Sequence, residues 1–160
     1  MRLGLVAVGR LKDGPERELV ARYMKRAADS GRALGFSGPD VVEIAEARAP
    51  RADDRRAQEA VAIRKALGAI PYLCFDERGE TLSSEKIAEW LAARRDGGLK
   101  ALHLVIGGAD GLAPTLRDRA LGVWSFGSAT FPHQIVRILA AEQLYRAMTI
   151  LAGHPYHRGE

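Results

Sequence analysis

The sequence is poor in cysteine and in long apolar runs. Its single cysteine, Cys74, excludes an internal disulfide and a thiolate metal cluster, and because it lies in an apolar stretch we expect a buried, inert thiol. No apolar run approaches the roughly 20 residues of a membrane-spanning helix. The start of the chain, MRLGLVAVGRLK, contains an apolar stretch that is too short for a signal peptide, and it has no small-residue cleavage site. These absences favour a soluble, cytoplasmic protein without a membrane partner.

Several common catalytic motifs are also missing. Gly9 and Gly14 have the spacing of a phosphate loop, but Pro15 and Glu16 stand where a lysine and a Ser/Thr would be needed. No G-x-G-x-x-G follows the first predicted strand, and no G-x-S-x-G occurs, so dinucleotide binding and serine hydrolase chemistry have no support.

Histidines are few, and their surroundings do not predict a metal site. Of the four, His154 and His157 are three residues apart, but no Cys, Asp or Glu lies within 154–158 and Pro155 opposes a helix there. His133 stands at the predicted start of the last helix, where we expect a structural role. No metal is therefore predicted.

The composition is that of a globular protein, with 47% hydrophobic and 28% charged residues. The excess of 24 Lys+Arg over 20 Asp+Glu gives a net charge of +4. This charge helps an approach to a polyanion but is too small to identify nucleic acid as the partner.

Short apolar runs alternate with segments of helical periodicity. This alternation predicts an α/β fold, a mostly parallel sheet flanked by helices, in a single domain over 1–160. Asp13 is the predicted cap of the first helix. The predicted strands are 2–8, 40–46, 71–77, 101–107 and 123–129, and the predicted helices follow Asp13, span 54–67, start at Ser83 and at Pro114, and span 133–152.

The last predicted helix is apolar on nearly every side. A helix of this kind must be buried all round. One side can face the sheet and the other a second subunit, most simply in a two-fold dimer. The alternative is a helix enclosed within a monomer. Arg137 and Arg146 interrupt the pattern, either as buried partners of glutamates such as Glu142 or as groups that reach RNA.

Two glycine-bearing loops follow neighbouring predicted strands. They are LVIGGADGL (104–112) and SFGSATFPH (125–133). Ligands of open α/β folds bind beyond the carboxyl ends of strands, so these loops predict a pocket lined by backbone groups. Such groups suit the edge of an adenine, and Phe75, Ile106, Phe126 and Phe131 suit its faces. Two plain turns without a ligand are the alternative.

The order IGGADGL, SFGSATFPHQIVRILAAEQLYRA and HPYHR is similar to that of the SPOUT superfamily of RNA methyltransferases. Within it, the chain most resembles enzymes that methylate N3 of a pseudouridine in 23S rRNA. The resemblance covers nearly the whole chain. It implies a deep trefoil knot in the C-terminal part and a homodimer packed through the last helix. It also implies S-adenosylmethionine as the cofactor and the assembled ribosome as the substrate.

The resemblance also implies which residues form the site. The cofactor contacts fall at Phe75, Gly107, Phe126, Gly127, Ser128, Ala129, Thr130 and Phe131. Gly127 and Ala129 are smaller than the residues expected in that loop.

The polar tail HPYHRGE becomes a candidate for the substrate side of the site. Tyr156 and His157 could bind or deprotonate the base, Arg158 could stabilise developing negative charge, and His154 could orient the tail. Gly159 and Glu160 are expected to be an ordinary chain end. Two alternatives stay open: a SPOUT enzyme that acts on transfer RNA, and a ribosome-binding protein without catalysis.

Overall fold

The computed structural model describes the backbone of residues 1–158 and the side chains of residues 1–156. Strands and helices alternate along most of this length, as the sequence predicts. The strands are β1 (Arg2–Val8), β2 (Ser37–Ile44), β3 (Tyr72–Thr81), β4 (Ala101–Ile106) and β5 (Val123–Ser125). The helices are α1 (Pro15–Arg32), α2 (Ala52–Leu67), α3 (Ser84–Asp96), α4 (Pro114–Arg117) and α5 (His133–Leu151), followed by a 3₁₀ turn over Pro155–Arg158.

The five strands form one parallel sheet in the order β2-β1-β4-β3-β5. The α/β fold with a parallel sheet flanked by helices is thus confirmed. All the strands end at the same edge of the sheet, and the loops that follow β3, β4 and β5 are neighbours there because these strands are adjacent. The chain order alone does not predict this adjacency, since β3 lies between β4 and β5.

The sheet has an apolar core on each face. One core combines Leu5 and Leu104 of the sheet with residues of α1, α3 and α5, among them Met24, Leu91 and Leu144. The other combines Val6 and Val105 with residues of α2 and α4, among them Ile63 and Leu116. Alternate residues of a strand point to opposite faces, so the apolar runs of β1 and β4 supply both cores.

The ends of several elements differ from the sequence predictions. β5 ends at Ser125 rather than at 129, because the Ser125 hydroxyl both accepts from Gly127 N (3.1 Å) and donates to Gly127 O (2.8 Å), which turns the chain away from the sheet. β3 continues to Thr81, where it pairs with β5 a second time. The predicted cap Asp13 is wrong: Gly14 occupies the N-cap of α1, and Asp13 accepts a hydrogen bond from Arg17 instead. Ser83, in contrast, caps α3 through the Lys86 N–H.

Helix α5 is buried on one side only within a single chain. Its core side includes Ala140, Ala141 and Leu144, whereas Ile135 on another side is 37% exposed and Leu139 is half-buried. The predicted all-round burial is therefore incomplete in the isolated chain. Across the part of the chain that the structure describes, no helix is long and apolar enough to cross a membrane.

Candidate functional site

A cleft of about 620 Å³ lies at the carboxyl edge of the sheet, beside the middle of β3 and the ends of β4 and β5. Its volume is within the range of small-molecule sites. Three segments form its walls: the middle of β3, the loop after β4 and the segment from β5 to the start of α5. The lining residues are Phe75 to Arg78, Ile106 to Gly111, Trp124 to Gly127, Ala129 to His133, and Val136.

Aromatic rings form one wall of the cleft. Phe75 of β3 and Phe126 after β5 stack with centroids 4.8 Å apart and planes 10° apart. Trp124 packs edge-on against Phe75, with centroids 6.1 Å apart. Phe75 and Trp124 are 6% and 4% exposed, so the rings at this wall are anchored in the core. This wall offers flat apolar surface to a planar ligand.

The loop after β4 is a tight glycine turn. Gly108 and Gly111 form an isolated bridge, and the Gly111 N–H donates to the Gly108 carbonyl over 3.0 Å. A Cβ on Gly107 would lie 2.8 Å from the Gly111 carbonyl carbon, and a Cβ on Gly108 would lie 2.9 Å from Val8 Cγ1. Only glycine fits at these two positions, so the backbone itself forms this side of the cleft.

The cleft brings together most of the predicted cofactor residues. Seven of the eight line it, and the exception is Ser128. Gly127 has φ +129°, a conformation that side chains rarely adopt, which gives a physical reason for the small residue there.

Sequence reasoning missed several lining residues. Asp76, Arg78, Trp124 and Val136 reach the cleft from the strand ends and from the first turn of α5. Asp76 is nearly buried and accepts a hydrogen bond from Arg117 (3.2 Å), which in turn donates to the Leu112 carbonyl (2.6 Å). The signal available in the sequence was the polar pair Asp76-Glu77, which directly follows the apolar residues 72–75.

His133 lines the cleft from the start of α5. Its Nε2 lies 3.5 Å from Glu46 Oε1, and a Cβ on Gly9 would lie 3.2 Å from the same nitrogen. This packing against the ends of β1 and β2 agrees with the structural role expected for His133.

The two arginines of α5 have different partners. Arg137 is 1% exposed and donates to Glu43 (2.8 Å), Gly9 O (2.7 Å) and Val8 O (3.2 Å). Of the two alternatives left open for Arg137, the structure shows burial with a glutamate, and that glutamate is Glu43. Arg146 does pair with Glu142, over 2.7 Å.

The tail lies away from the cleft of its own chain. Residues 154–156 are not among the lining residues. The His154 N–H donates to the Thr149 carbonyl (2.9 Å), and His154 Nδ1 accepts from the Tyr156 N–H (3.2 Å). The backbone of His157 and Arg158 belongs to the 3₁₀ turn, but their side chains, like Gly159 and Glu160 entirely, lie outside the described residues.

Tyr156 is held by a polar and aromatic cluster on α5. Its ring packs 4.5 Å from that of Tyr145, the Arg146 guanidinium lies over it at 5.0 Å, and its hydroxyl donates to Glu142 (3.2 Å). Burial, followed by the interactions with Tyr23 and Glu142, raises the pKa of the Tyr156 phenol above its ordinary value. Tyr156 is therefore protonated at neutral pH and suited to donate a hydrogen bond rather than to accept a proton.

The side chains that most often bind metals do not cluster in the part of the chain that the structure describes. Among the described residues there is no group of three His, Cys, Asp or Glu side chains that could hold an ion. Cys74 is buried in the sheet, and burial raises the pKa of its thiol to about 12, so it is not a nucleophile at neutral pH.

Comparison with known proteins assigns the class. The family described as "Predicted SPOUT methyltransferase" matches residues 1–157. The chain belongs to this SPOUT methyltransferase family. The fold agrees: a probable methyltransferase from Bordetella pertussis Tohama I has a TM-score of 0.51 at 18% identity, over 91% of this chain and 95% of its own.

Curated relatives narrow the assignment within the family. The chain is 58% identical over 162 residues to a ribosomal RNA large subunit methyltransferase H of Methylobacterium radiotolerans, with 100% of this chain and 99% of the relative covered. It is 56% identical over 159 residues to the protein of the same name from Xanthobacter autotrophicus, with 99% of each covered. The superfamily predicted from the three motifs is thus confirmed.

Proposed function

We propose that this chain is an S-adenosylmethionine-dependent methyltransferase that acts on N3 of a pseudouridine in 23S rRNA, on the assembled ribosome. One observation carries the proposal: a cleft lies beside β3, β4 and β5 in a chain that is more than half identical, over its whole length, to large-subunit rRNA methyltransferases. The substrate places the proposed site of action in the cytoplasm. The proposal includes the knot implied by the SPOUT resemblance and a single catalytic domain.

The cleft suits the nucleoside part of this cofactor. Phe75 and Phe126 give flat apolar surface for a purine, and the glycine turn at Gly107 gives backbone groups without side chains between them and the ligand. Both donors and acceptors are needed at the edge of an adenine, and peptide groups supply both. When bound, the cofactor supplies a sulfonium methyl group, which is already a strong electrophile. The protein's main task is then to align the attacking nitrogen and remove its proton.

The tail supplies the polar groups on the substrate side of this proposal. Because its pKa is raised, Tyr156 keeps its proton; in this proposal the hydroxyl exchanges its hydrogen bond to Glu142 for one to a carbonyl oxygen of the base, or to negative charge that develops as N3 loses its proton. Proton removal then belongs to another group, and His154 and His157 are the candidates in the tail. Arg158 is the candidate for stabilising the oxyanion or holding a phosphate.

In this proposal, the tail of one chain serves the cleft of a second protomer. The cleft lies at the N-terminal end of α5, whereas Tyr156 packs against Glu142, Tyr145 and Arg146 in the middle turns of the helix. Residues 154–156 do not line the cleft of their own chain, so the proposal assigns them to the cleft of a second chain. A two-fold dimer with α5 helices antiparallel brings each tail to the partner's cleft. The exposed apolar side chain of Ile135, beside half-buried Leu139, is the surface available for this contact.

The test is methyl transfer to ribosomes that lack the modification. Labelled S-adenosylmethionine is incubated with the protein and either these ribosomes or free tRNA, and nucleosides are identified by mass spectrometry. We expect 3-methylpseudouridine from the ribosomes alone. Methylated tRNA would move the chain to another substrate class, and cofactor binding without transfer to either RNA would contradict the enzymatic proposal.

A further inference from the structure

Outside the cleft, helix α2 carries an arginine, Arg55, that is hydrogen-bonded to Asp110 of the glycine loop after β4. Arg55 Nε lies 2.6 Å from Asp110 Oδ2, and Arg55 Nη2 lies 2.9 Å from Asp110 Oδ1. The two hydrogen bonds form a parallel fork, the geometry in which arginine recognises a carboxylate most specifically. The hydrogen bond from Arg55 lowers the pKa of Asp110, so the carboxylate is ionised at neutral pH. Asp110 is itself a lining residue of the cleft.

The same guanidinium is fixed from its other side. Arg55 Nη1 donates to the carbonyls of Ala49 and Pro50, each over 2.9 Å. These carbonyls lie in the loop between β2 and α2, so the guanidinium cannot shift without breaking contacts to a second segment. Arg56 adds a hydrogen bond to the Asp110 carbonyl over 3.2 Å. Two arginines of the first turns of α2 therefore hold both the side chain and the backbone of Asp110.

A buried glutamate of α2, Glu59, lies beside the glycine loop. Glu59 is 6% exposed, and its Oε1 accepts from the Ala47 N–H over 3.0 Å. A Cβ on Gly108 would lie 3.3 Å from Glu59 Oε2, so this carboxyl limits the space beside the loop at Gly108. The glycine loop is thus held at Asp110 and bordered at Gly108 by one helix, which contributes no residue to the cleft lining.

We infer that Arg55 is a positioning residue for cofactor binding, acting through Asp110. This inference rests on the proposed function. A loop with glycines at 107, 108 and 111 has many accessible conformations, and a ligand bound by its backbone must restrict them. By fixing Asp110, Arg55 restricts the loop before the ligand arrives, and preorganisation of this kind increases affinity.

The experiment measures S-adenosylhomocysteine and S-adenosylmethionine affinity by calorimetry for wild type, Arg55→Ala, Asp110→Ala and the double variant. We expect each single change to weaken binding of both by roughly tenfold. The double variant should bind each compound no more weakly than either single variant does, because both changes remove the same contact. The KM for ribosomes, measured at saturating cofactor, should stay within twofold of wild type. Lys65→Ala is the matched control, because it removes one positive charge from an exposed position of the same helix.

The outcomes separate this inference from the proposed function. If wild type binds neither compound, the proposed function fails. If wild type binds and a folded Arg55→Ala binds equally well, the positioning role is wrong while the proposed function stands. Should Arg55→Ala not fold, Arg55→Lys decides: it keeps the charge but loses the fork, and it must weaken cofactor binding while leaving the melting temperature near that of wild type. Multiplicative losses in the double variant would also overturn the inference, because they would mean that the two residues act separately.

Discussion

Gly107 is the residue at which the glycine loop leaves least room for change. Its missing side chain would meet the Gly111 carbonyl carbon at 2.8 Å and the oxygen at 3.0 Å, both of them backbone atoms that cannot rotate away. Gly107→Ala should therefore displace the loop and weaken S-adenosylmethionine binding by roughly tenfold or more in calorimetry. Gly97→Ala, at an exposed helix end with φ −72°, is the control and should bind as wild type does. Unchanged affinity in a folded Gly107→Ala would mean that the loop does not contact the ligand.

His103 makes stability depend on pH. It lies in β4 opposite Gly4 of β1. Burial lowers the pKa of His103 and nearby Arg2 lowers it further, whereas Asp40 acts in the opposite direction. A histidine whose folded pKa lies below its unfolded value favours folding when neutral. The contribution of His103 to the free energy of unfolding is complete above about pH 6.5 and is lost as the pH falls below that value.

The corresponding measurement is the urea midpoint of wild type and His103→Gln between pH 8 and pH 5. We expect the wild-type midpoint to fall as the pH drops below 6.5 and the variant to fall less steeply, because glutamine does not titrate. Parallel curves for the two proteins would show that His103 is not the group responsible.

At the scale of elements, Arg137 joins α5 to the ends of β1 and β2. It donates to Val8 O, Gly9 O and Glu43, while the other hydrogen bond of that Glu43 oxygen comes from the Leu11 N–H. Burial would raise the pKa of Glu43, but the hydrogen bonds from Arg137 and Leu11 lower it overall. The carboxylate therefore stays ionised and depends on its arginine.

Removing this arginine leaves Glu43 with the Leu11 N–H but without its charged partner, and it takes a donor from the carbonyls of Val8 and Gly9. Arg137→Ala should lower the free energy of unfolding by about 2 kcal/mol or more, because a buried side chain is removed and two carbonyls lose a donor. Arg22→Ala, at an exposed position of α1, should change it by less than about 0.5 kcal/mol. Chemical denaturation followed by circular dichroism measures both, and a loss for Arg137→Ala as small as that of the control would contradict the proposed anchoring.

Elements and site residues were predictable to different degrees, for physical reasons. The apolar periods of β1 and α5 are local signals, so their positions were predicted to within a residue. The early end of β5 was missed because it depends on one hydroxyl, Ser125, turning the next residues away. Contacts between distant segments, such as the hydrogen bonds from Arg55 to Asp110, have no local signal in the sequence. They form only when α2 packs beside the loop after β4. The trefoil knot implied by the resemblance stays a prediction.

At the scale of the whole molecule, the dimer proposal predicts that Ile135 is an interface residue. A glutamate at this exposed apolar position would place charge in the proposed contact, so Ile135→Glu should be monomeric in analytical ultracentrifugation and inactive in methyl transfer. Val61→Glu, which alters a residue on α2 that is 62% exposed, is the control and should remain dimeric. A dimeric Ile135→Glu would exclude α5 as the contact.

The dimer also predicts that two different defects can compensate each other. A Gly107→Ala chain has a damaged cleft and an intact tail, whereas a Tyr156→Ala chain has the reverse. If each tail serves the partner's cleft, a mixed dimer has one site with both defects and one site with neither. Unfolding and refolding an equal mixture should then restore about a quarter of the wild-type activity, because half of the dimers are mixed and each has one intact site. If the tail served its own chain's cleft, every site in a mixed dimer would carry one defect, and the mixture would be no more active than the average of the two variants.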